Sequence, residues 1–423
     1  MTIGKGRTDG VLTDADIKRI VSEGLGRAGL EGKSLLLILP DHTRTAPVGS
    51  VFKAIRAATK GVVKKLDVLI ALGTHPPMTE EMINARVELT PEERAGAYAD
   101  VAFYNHRWRD PETLAHIGAI PAEEIDRLSG GLFRMEVDVT VNKLIFDYDC
   151  VCLVGPVFPH EVVGFSGGNK YLFPGVSGKE ILNFFHWLGA VITNPRIIGN
   201  KHTPVRAVLD RAAGLVAVRR LCLAMVVREG RLAGLYFGSP EEAWEEAANL
   251  SGRLHIHTCE HPFHTVLSAA PRMYDDLWTG GKCMYKLEPV VADGGELIIY
   301  APHITETSVT HGRVIREIGY HTRDYFLKQW DRFKRHPWGV LAHSTHVRGI
   351  GTYENGVERC RVKVTLATGI PEKVCRSINL GYRDPASIRV EEFLGREDEG
   401  VLYVPKAGET LYKLRNPPAW QVP

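Results

Sequence analysis

Nowhere in the 423 residues is there an apolar run of the roughly 20 residues that cross a bilayer, and the opening MTIGKGRTDGVLTDADIKRI lacks the apolar core of a signal peptide. The expectation is a cytoplasmic chain with no membrane partner. An excess of charge of one sign is missing as well. With 52 basic residues against 50 acidic ones, the formal charge is +2, which gives no reason to expect nucleic acid and leaves small molecules as the default ligand. Cysteine is sparse: the seven, at 150, 152, 222, 259, 283, 360 and 375, form no CxxC pair and suit a reducing compartment. Cys150 and Cys152 alternate along an apolar run, as buried thiols in a strand do. There is no internal repeat, no low-complexity segment and no HExxH. The one glycine-rich loop, GFSGGNK, has neither P-loop nor dinucleotide spacing.

What is present is a globular composition and a length that fits two domains with a cleft between them. KSLLLILPDHTRT reads as a buried parallel strand that ends abruptly in polar residues. VGSVFKAIRAATKG follows at helical spacing with Gly61 as its stop, and KLDVLIALGTHPP is a second buried strand, completing β-α-β. KLIFDYDCVCLVGPVFPHE repeats the pattern. Three strands thus deliver polar loops to one edge of a sheet, where ligands of open α/β folds bind. SPEEAWEEAANLSG is a helix with Ser239 as N-cap and Glu242 in a capping box. Strand character resumes at RLHIHTCEHPFHTVLSAA, placing a boundary near residues 252 to 260. GGELIIYAP, WGVLAHSTH and CRVKVTLATG read as further strands, and TRDYFLKQWDRF as a helix. The fold class expected is α/β, in two domains (1–255 and 256–423) with mainly parallel sheets and the active site in the cleft between them.

Candidate residues sit on the loops. Asp41, Thr43 and Arg44 follow the first strand: Arg44 offers a fork for a carboxylate or phosphate, and Asp41 could orient a ribose hydroxyl or a neighbouring imidazole, or the two could merely cap the next helix. His75 stands after a Gly73–Thr74 bend and before two prolines, held as a positioned acid or base should be, or simply bonded to its turn. Gly164, Ser166, Gly167 and Gly168 supply unhindered amides and a hydroxyl suited to an anion. Lys170 would be a counter-charge there or a covalent anchor. His160 precedes it and His186 follows on KEILNFFHWLG, as a core residue or a metal ligand. His255, His257, His261 and His264 alternate along a strand without a cysteine pair to complete a zinc site, so a solvated strand is the simpler reading. His343 and His346 find no role.

Taken together, DHTRTAP, ALGTHPP, HEVVGFSGGNKYLFPG and the downstream His186 resemble the motif set of the nickel-dependent lactate racemase family, and YDDLWTGGKCMYKLEPVVADGGELIIYAP is similar to its substrate-contacting segment. The resemblance implies a nickel pincer nucleotide (pyridinium-3,5-bisthiocarboxylic acid mononucleotide nickel) tethered through a thioamide to Lys170. It implies His186 as the nickel-binding imidazole, with two sulfurs and a ring carbon of the cofactor as the other donors. Ser166, Gly167 and Gly168 would cradle the cofactor phosphate, and Asp41 and Thr43 would lie beside the cofactor. His75 and His160 would be the two acid/base groups, one per enantiomer, while Arg44 and Lys282 would hold the substrate carboxylate. Such a protein inverts C2 of a 2-hydroxy acid by reversible hydride transfer and depends on cofactor-biosynthesis proteins. Lactate-specific members carry Tyr-Gln where this chain has Trp278-Thr279. The shorter threonine and two glycines leave room that lactate does not need, which points to a larger substrate, such as a sugar acid. Two other readings stand beside this one: a hydrolase or lyase with a plain metal on the histidines, and a non-catalytic carrier of the nickel nucleotide. Oligomeric state is open.

Overall fold

The computed structural model describes residues 2–422. The chain divides into two compact units. The first runs through Phe158 and adds Phe165–Leu182 and Arg206–Leu254; the second takes Pro159–Gly164, Asn183–Val205 and the described residues from His255 onward.

The first unit is built on a seven-stranded sheet in the order Ile3–Gly6, Arg231–Gly238, Arg219–Arg228, Cys150–Pro156, Ser34–Pro40, Lys65–Ala71, Phe103–Asn105. Every pairing from Arg219–Arg228 to Phe103–Asn105 is parallel, and the two at the other edge are antiparallel. Leu35, Leu37 and Leu39 pack into one core cluster with Ile20, Val21 and Leu25 of the Asp14–Arg27 helix and Val51, Phe52 and Ile55 of the Val48–Thr59 helix. Leu36 and Ile38 point to the other face and are equally inaccessible. Burial on both faces is why these strands read as unbroken apolar runs. Replacing Leu37, fully enclosed in this core, by alanine should cost about 2–5 kcal/mol. Urea unfolding checks it, as a lowered midpoint at unchanged slope.

The second unit carries a five-stranded sheet, all parallel, in the order Gly381–Tyr382, Lys363–Thr368, Val291–Ala301, Phe263–Ala269, Val401–Val404. The architecture is thus α/β with mainly parallel sheets. Among the described residues no helix is long and apolar enough to cross a membrane.

Three segments differ from their sequence reading. WGVLAHSTH belongs to a helix, Trp338–Arg348, whose residues from Gly339 to Val347 are all buried. A helix enclosed on every side shows no amphipathic period, so its apolar run imitates a strand. TRDYFLKQWDRF is broken into Arg323–Leu327 and Trp330–Phe333. Arg253 to His255 complete the Pro240–His255 helix, whose start has the Ser239 hydroxyl accepting from the Glu242 amide. The cysteines at 150 and 152 are buried in a strand, as expected.

Candidate active site

Three adjacent parallel strands, Cys150–Pro156, Ser34–Pro40 and Lys65–Ala71, release their following loops at one edge of the first sheet. Asp41 follows the middle strand and is 3% exposed. Its Oδ1 accepts from the amide and hydroxyl of Thr43, at 3.0 and 2.6 Å. The Asx turn so formed fixes the carboxylate, and its Oδ2 meets Nδ1 of His75 from the neighbouring strand's loop. Burial pushes the Asp41 carboxyl up. The His75 charge and hydrogen bond, the Arg44 guanidinium and the Thr43 hydroxyl together outweigh that effect and hold it well below the usual carboxylate range. Of the two partners left open by the sequence, ribose or imidazole, the carboxylate faces the imidazole.

His75 is positioned from two sides. Its amide donates to the Leu72 carbonyl at 2.9 Å, and Gly73, at φ +56°, donates to the Gly175 carbonyl at 2.9 Å. With Nδ1 held by Asp41, Nε2 is the ring nitrogen left for proton transfer. Gly175 in turn donates to the Lys170 carbonyl at 3.3 Å, so the His75 turn and the Lys170 loop are tied through one residue.

The Lys170 loop is anchored by partners scattered through the chain. Asn169, 1% exposed, donates to Asp210 at 3.0 Å and to Glu241 at 2.8 Å and accepts from Arg220 at 3.2 Å. Trp244 Nε1 donates to the Ser166 carbonyl at 2.9 Å. The Ser166 hydroxyl accepts from the Phe158 amide at 2.9 Å and donates to the Pro156 carbonyl at 3.2 Å, while its amide donates to the Phe158 carbonyl. The serine expected beside a phosphate therefore has both groups engaged in shaping the loop. Gly167 and Gly168 take φ +84° and +58°, a left-handed course that their lack of Cβ permits.

Arg86 was not singled out by its sequence. Its Nε and Nη1 donate to the carbonyls of Pro40 and Ala46, both at 3.2 Å, bracing the DHTRTAP loop. Its Nη2 is buried with no hydrogen-bond partner among the described residues. Burial lowers its pKa, with Asp41 and Tyr171 opposing. An arginine in a helix of low amphipathicity carries no mark of this role. Nor did anything in sequence distinguish Asn169 from its loop neighbours.

In the second unit, the Val162 amide donates to Nδ1 of His160 at 3.1 Å, and a Glu161 carboxylate oxygen lies 3.2 Å from the same nitrogen. Nδ1 is thus engaged from its own loop, and Nε2 is the ring nitrogen left for proton transfer. His186 lies midway along the Lys179–Ile192 helix, stacked on Phe185 at 4.7 Å. Trp278 and Thr279 sit on a turn capped by Asp276, whose carboxylate accepts from the Thr279 amide at 3.0 Å. Trp278 stacks on His343 at 4.0 Å and 12°, and His343 Nε2 lies 2.9 Å from the Trp278 carbonyl. The unexplained pair His343 and His346 is thus a buried, neutral pair, each pushed down to about 3 by burial. Lys282 Nζ lies 4.6 Å over the Tyr274 ring. His257, His261 and His264 are exposed while His255 is buried at its helix end.

Asp41, Thr43, Arg44, His75, Ser166, Gly167, Gly168 and Lys170 belong to the first unit; His160, His186, Trp278, Thr279 and Lys282 belong to the second. Among the described residues, no group of three or more His, Cys, Asp or Glu side chains is placed to hold a metal ion.

Residues 15–197 match the family described as Lactate racemase N-terminal domain. Two curated relatives are lactate racemases. The one from Thermoanaerobacterium thermosaccharolyticum is 24% identical over 67% of this chain and 65% of its own length; the one from Lactiplantibacillus plantarum is 25% identical over 50% of this chain and 46% of its own. The matches span less than two thirds of either relative. A crystal structure of a Thermotoga maritima protein superposes with a TM-score of 0.88 at 34% identity, covering 96% of this chain and 99% of that one. The lactate racemase apoprotein of T. thermosaccharolyticum superposes at 0.70 and 19% identity, over 98% and 100%, which shows a shared fold.

Proposed function

Because this chain belongs to the lactate racemase family, we propose that it is an isomerase that inverts C2 of a 2-hydroxy acid, as racemase or epimerase. The observation that carries this reading is the Asp41–His75 pair: an ionised, buried carboxylate orienting an imidazole on a loop bonded to the one that bears Lys170.

The residues present fit a lysine-tethered nickel pincer nucleotide. Three of the metal's donors come with the nucleotide, so a lone imidazole, His186, suffices where no three-ligand protein cluster exists among the described residues. Lys170 has the amine for a thioamide. The guanidinium of Arg86, with a buried donor that no described residue accepts, suits its phosphate. When bound, that group supplies a place to park and return the C2 hydride.

The rest falls to side chains. Arg44 and Lys282 grip the carboxylate, so the carbon can change hands without the acid leaving. His75 draws the hydroxyl proton of one enantiomer through Nε2 and returns it; His160 does so for the other. Two bases are needed because the hydroxyl takes a different direction in each enantiomer. Trp278 and Thr279 border the substituent at C3. Trp278 is immobilised by His343, and Thr279 is smaller than the glutamine of lactate-specific members, which supports a substrate larger than lactate, such as a sugar acid. A storage protein for the nucleotide would have no use for the oriented His75.

The test is a panel of enantiopure 2-hydroxy acids, from lactate to gluconate, offered to protein produced with the cofactor-making enzymes and followed by chiral chromatography. Stereochemical change at C2 of any member is the expected result, and none throughout the panel refutes the reading. Within that panel, Thr279→Gln should move the preference toward lactate by about tenfold in kcat/KM; an unchanged ranking removes Thr279 from the specificity argument.

A further inference from the structure

The second unit has a cleft of about 430 Å³ whose lining includes none of the residues assigned to the isomerase reaction. Parallel strands fix where it lies. Lys363 and Gly381, both on its wall, open the strands Lys363–Thr368 and Gly381–Tyr382, and Gly294 lies two residues before Glu296, the register partner of Lys363. The cleft is therefore at the amino-terminal edge of the sheet. Trp278, Thr279 and Lys282 follow the carboxyl end of Phe263–Ala269, at the opposite edge.

The walls carry Arg348, Arg361, Lys363 and Arg376, and none of the described residues lining the cleft is acidic. Arg361 is pinned by neutral groups, donating to the carbonyls of Val291 at 2.6 Å and Glu288 at 2.7 Å, with its guanidinium 4.1 Å from the Trp420 ring. Such partners orient the guanidinium, while the buried Glu288 carboxyl, pushed up by burial, lies close enough to feel its charge. Its acidic neighbour Asp293, at 3.1 Å, is 80% exposed. Lys363 and Arg376 pair with Glu296 and Glu372 at 2.9 and 2.7 Å, contacts near solvent that hold little energy and yield readily to a ligand. Arg348 and Arg361 each keep a buried Nε–H that nothing described accepts. Four cations are gathered around one space whose described lining holds no acidic side chain, their acidic neighbours Glu288, Asp293, Glu296, Glu358 and Glu372 standing outside it.

We propose that this cleft binds a small polyanion of metabolite size, bearing at least two negative charges as phosphate or carboxylate groups. Guanidinium forks match both group types, and the volume is that of a metabolite pocket. The site is separate from the residues assigned to the isomerase reaction and does not depend on that assignment.

Isothermal titration of the full chain with pyrophosphate and with citrate tests this and separates phosphate from carboxylate chemistry. At least one probe should bind with micromolar affinity that falls as salt rises. Lys363→Gln and Arg376→Gln, both at exposed positions that leave the core intact, should each weaken it about tenfold. Lys60→Gln, the same charge change at an exposed position in the first unit, should leave it unaltered. Melting temperatures within a degree or two of the parent certify folding. No binding of either probe at millimolar concentration overturns the proposal, as does an equal loss in Lys60→Gln.

Discussion

Lys170→Ala, produced beside the cofactor-making enzymes, should have the intact mass of the bare chain, whereas the parent is heavier by one nucleotide. A thioamide needs a primary amine, and alanine removes the nucleophile outright; Lys170→Arg, which keeps the charge, should fail equally. A counter-charge role would instead be rescued by arginine, so this pair of variants separates anchor from electrostatic contact. Loss of turnover should reach at least about 10³-fold, since without the group no acceptor for the hydride exists. The fold should survive. The loop is held by its neighbours, through Asn169 to Asp210, Glu241 and Arg220 and through the Ser166 carbonyl to Trp244. A parent chain with the bare mass would refute the tether.

That anchoring explains how far the sequence could be read. The three strands ahead of DHTRTAP, GTHPP and GPVFPHE were legible because a strand buried on both faces is written as an apolar run that stops where the polar loop begins. Parallel order then put those loops on one edge. The chemistry of the loops was legible as residue types. Their partners were not: Asp41 and His75 are 34 positions apart, and Asn169 reaches Glu241 across 72. A carboxylate's choice between sugar and imidazole is made by tertiary contacts, and local pattern contains no term for it. Ser166 shows the same limit from the other side, since a serine among glycines has the composition of an anion loop while its hydroxyl is engaged in closing the turn. The Trp338–Arg348 helix failed to read as one because burial on every face erased the period. The chain's excursions into the second unit at Pro159–Gly164 and Asn183–Val205 leave no compositional trace, being short and as apolar as their surroundings.

The Asp41–His75 pair gives the second large effect. His75→Ala should abolish inversion in both directions, since each turnover takes the hydroxyl proton from one enantiomer with one imidazole and returns it to the other with the second, and Asp41→Asn should lower kcat by about 10²–10⁴-fold with little change in KM. An asparagine keeps the size of the side chain but not its charge, and its NH₂ group can turn toward Nδ1, driving the ring proton to Nε2 and spoiling the base. The same variant has a signature in stability that a loss of mere packing would lack. Asp41 is held below the ordinary carboxylate range, so the folded state binds its proton less readily than the unfolded state does. Its contribution is complete above the unfolded value near 4 and declines as pH falls through the folded one. The stability gap between parent and Asp41→Asn, from urea unfolding, should therefore be smaller at pH 3 than at pH 7 by about 1 kcal/mol. A gap independent of pH, or wild-type turnover in the variant, would show that the carboxylate neither holds its charge against burial nor orients the histidine.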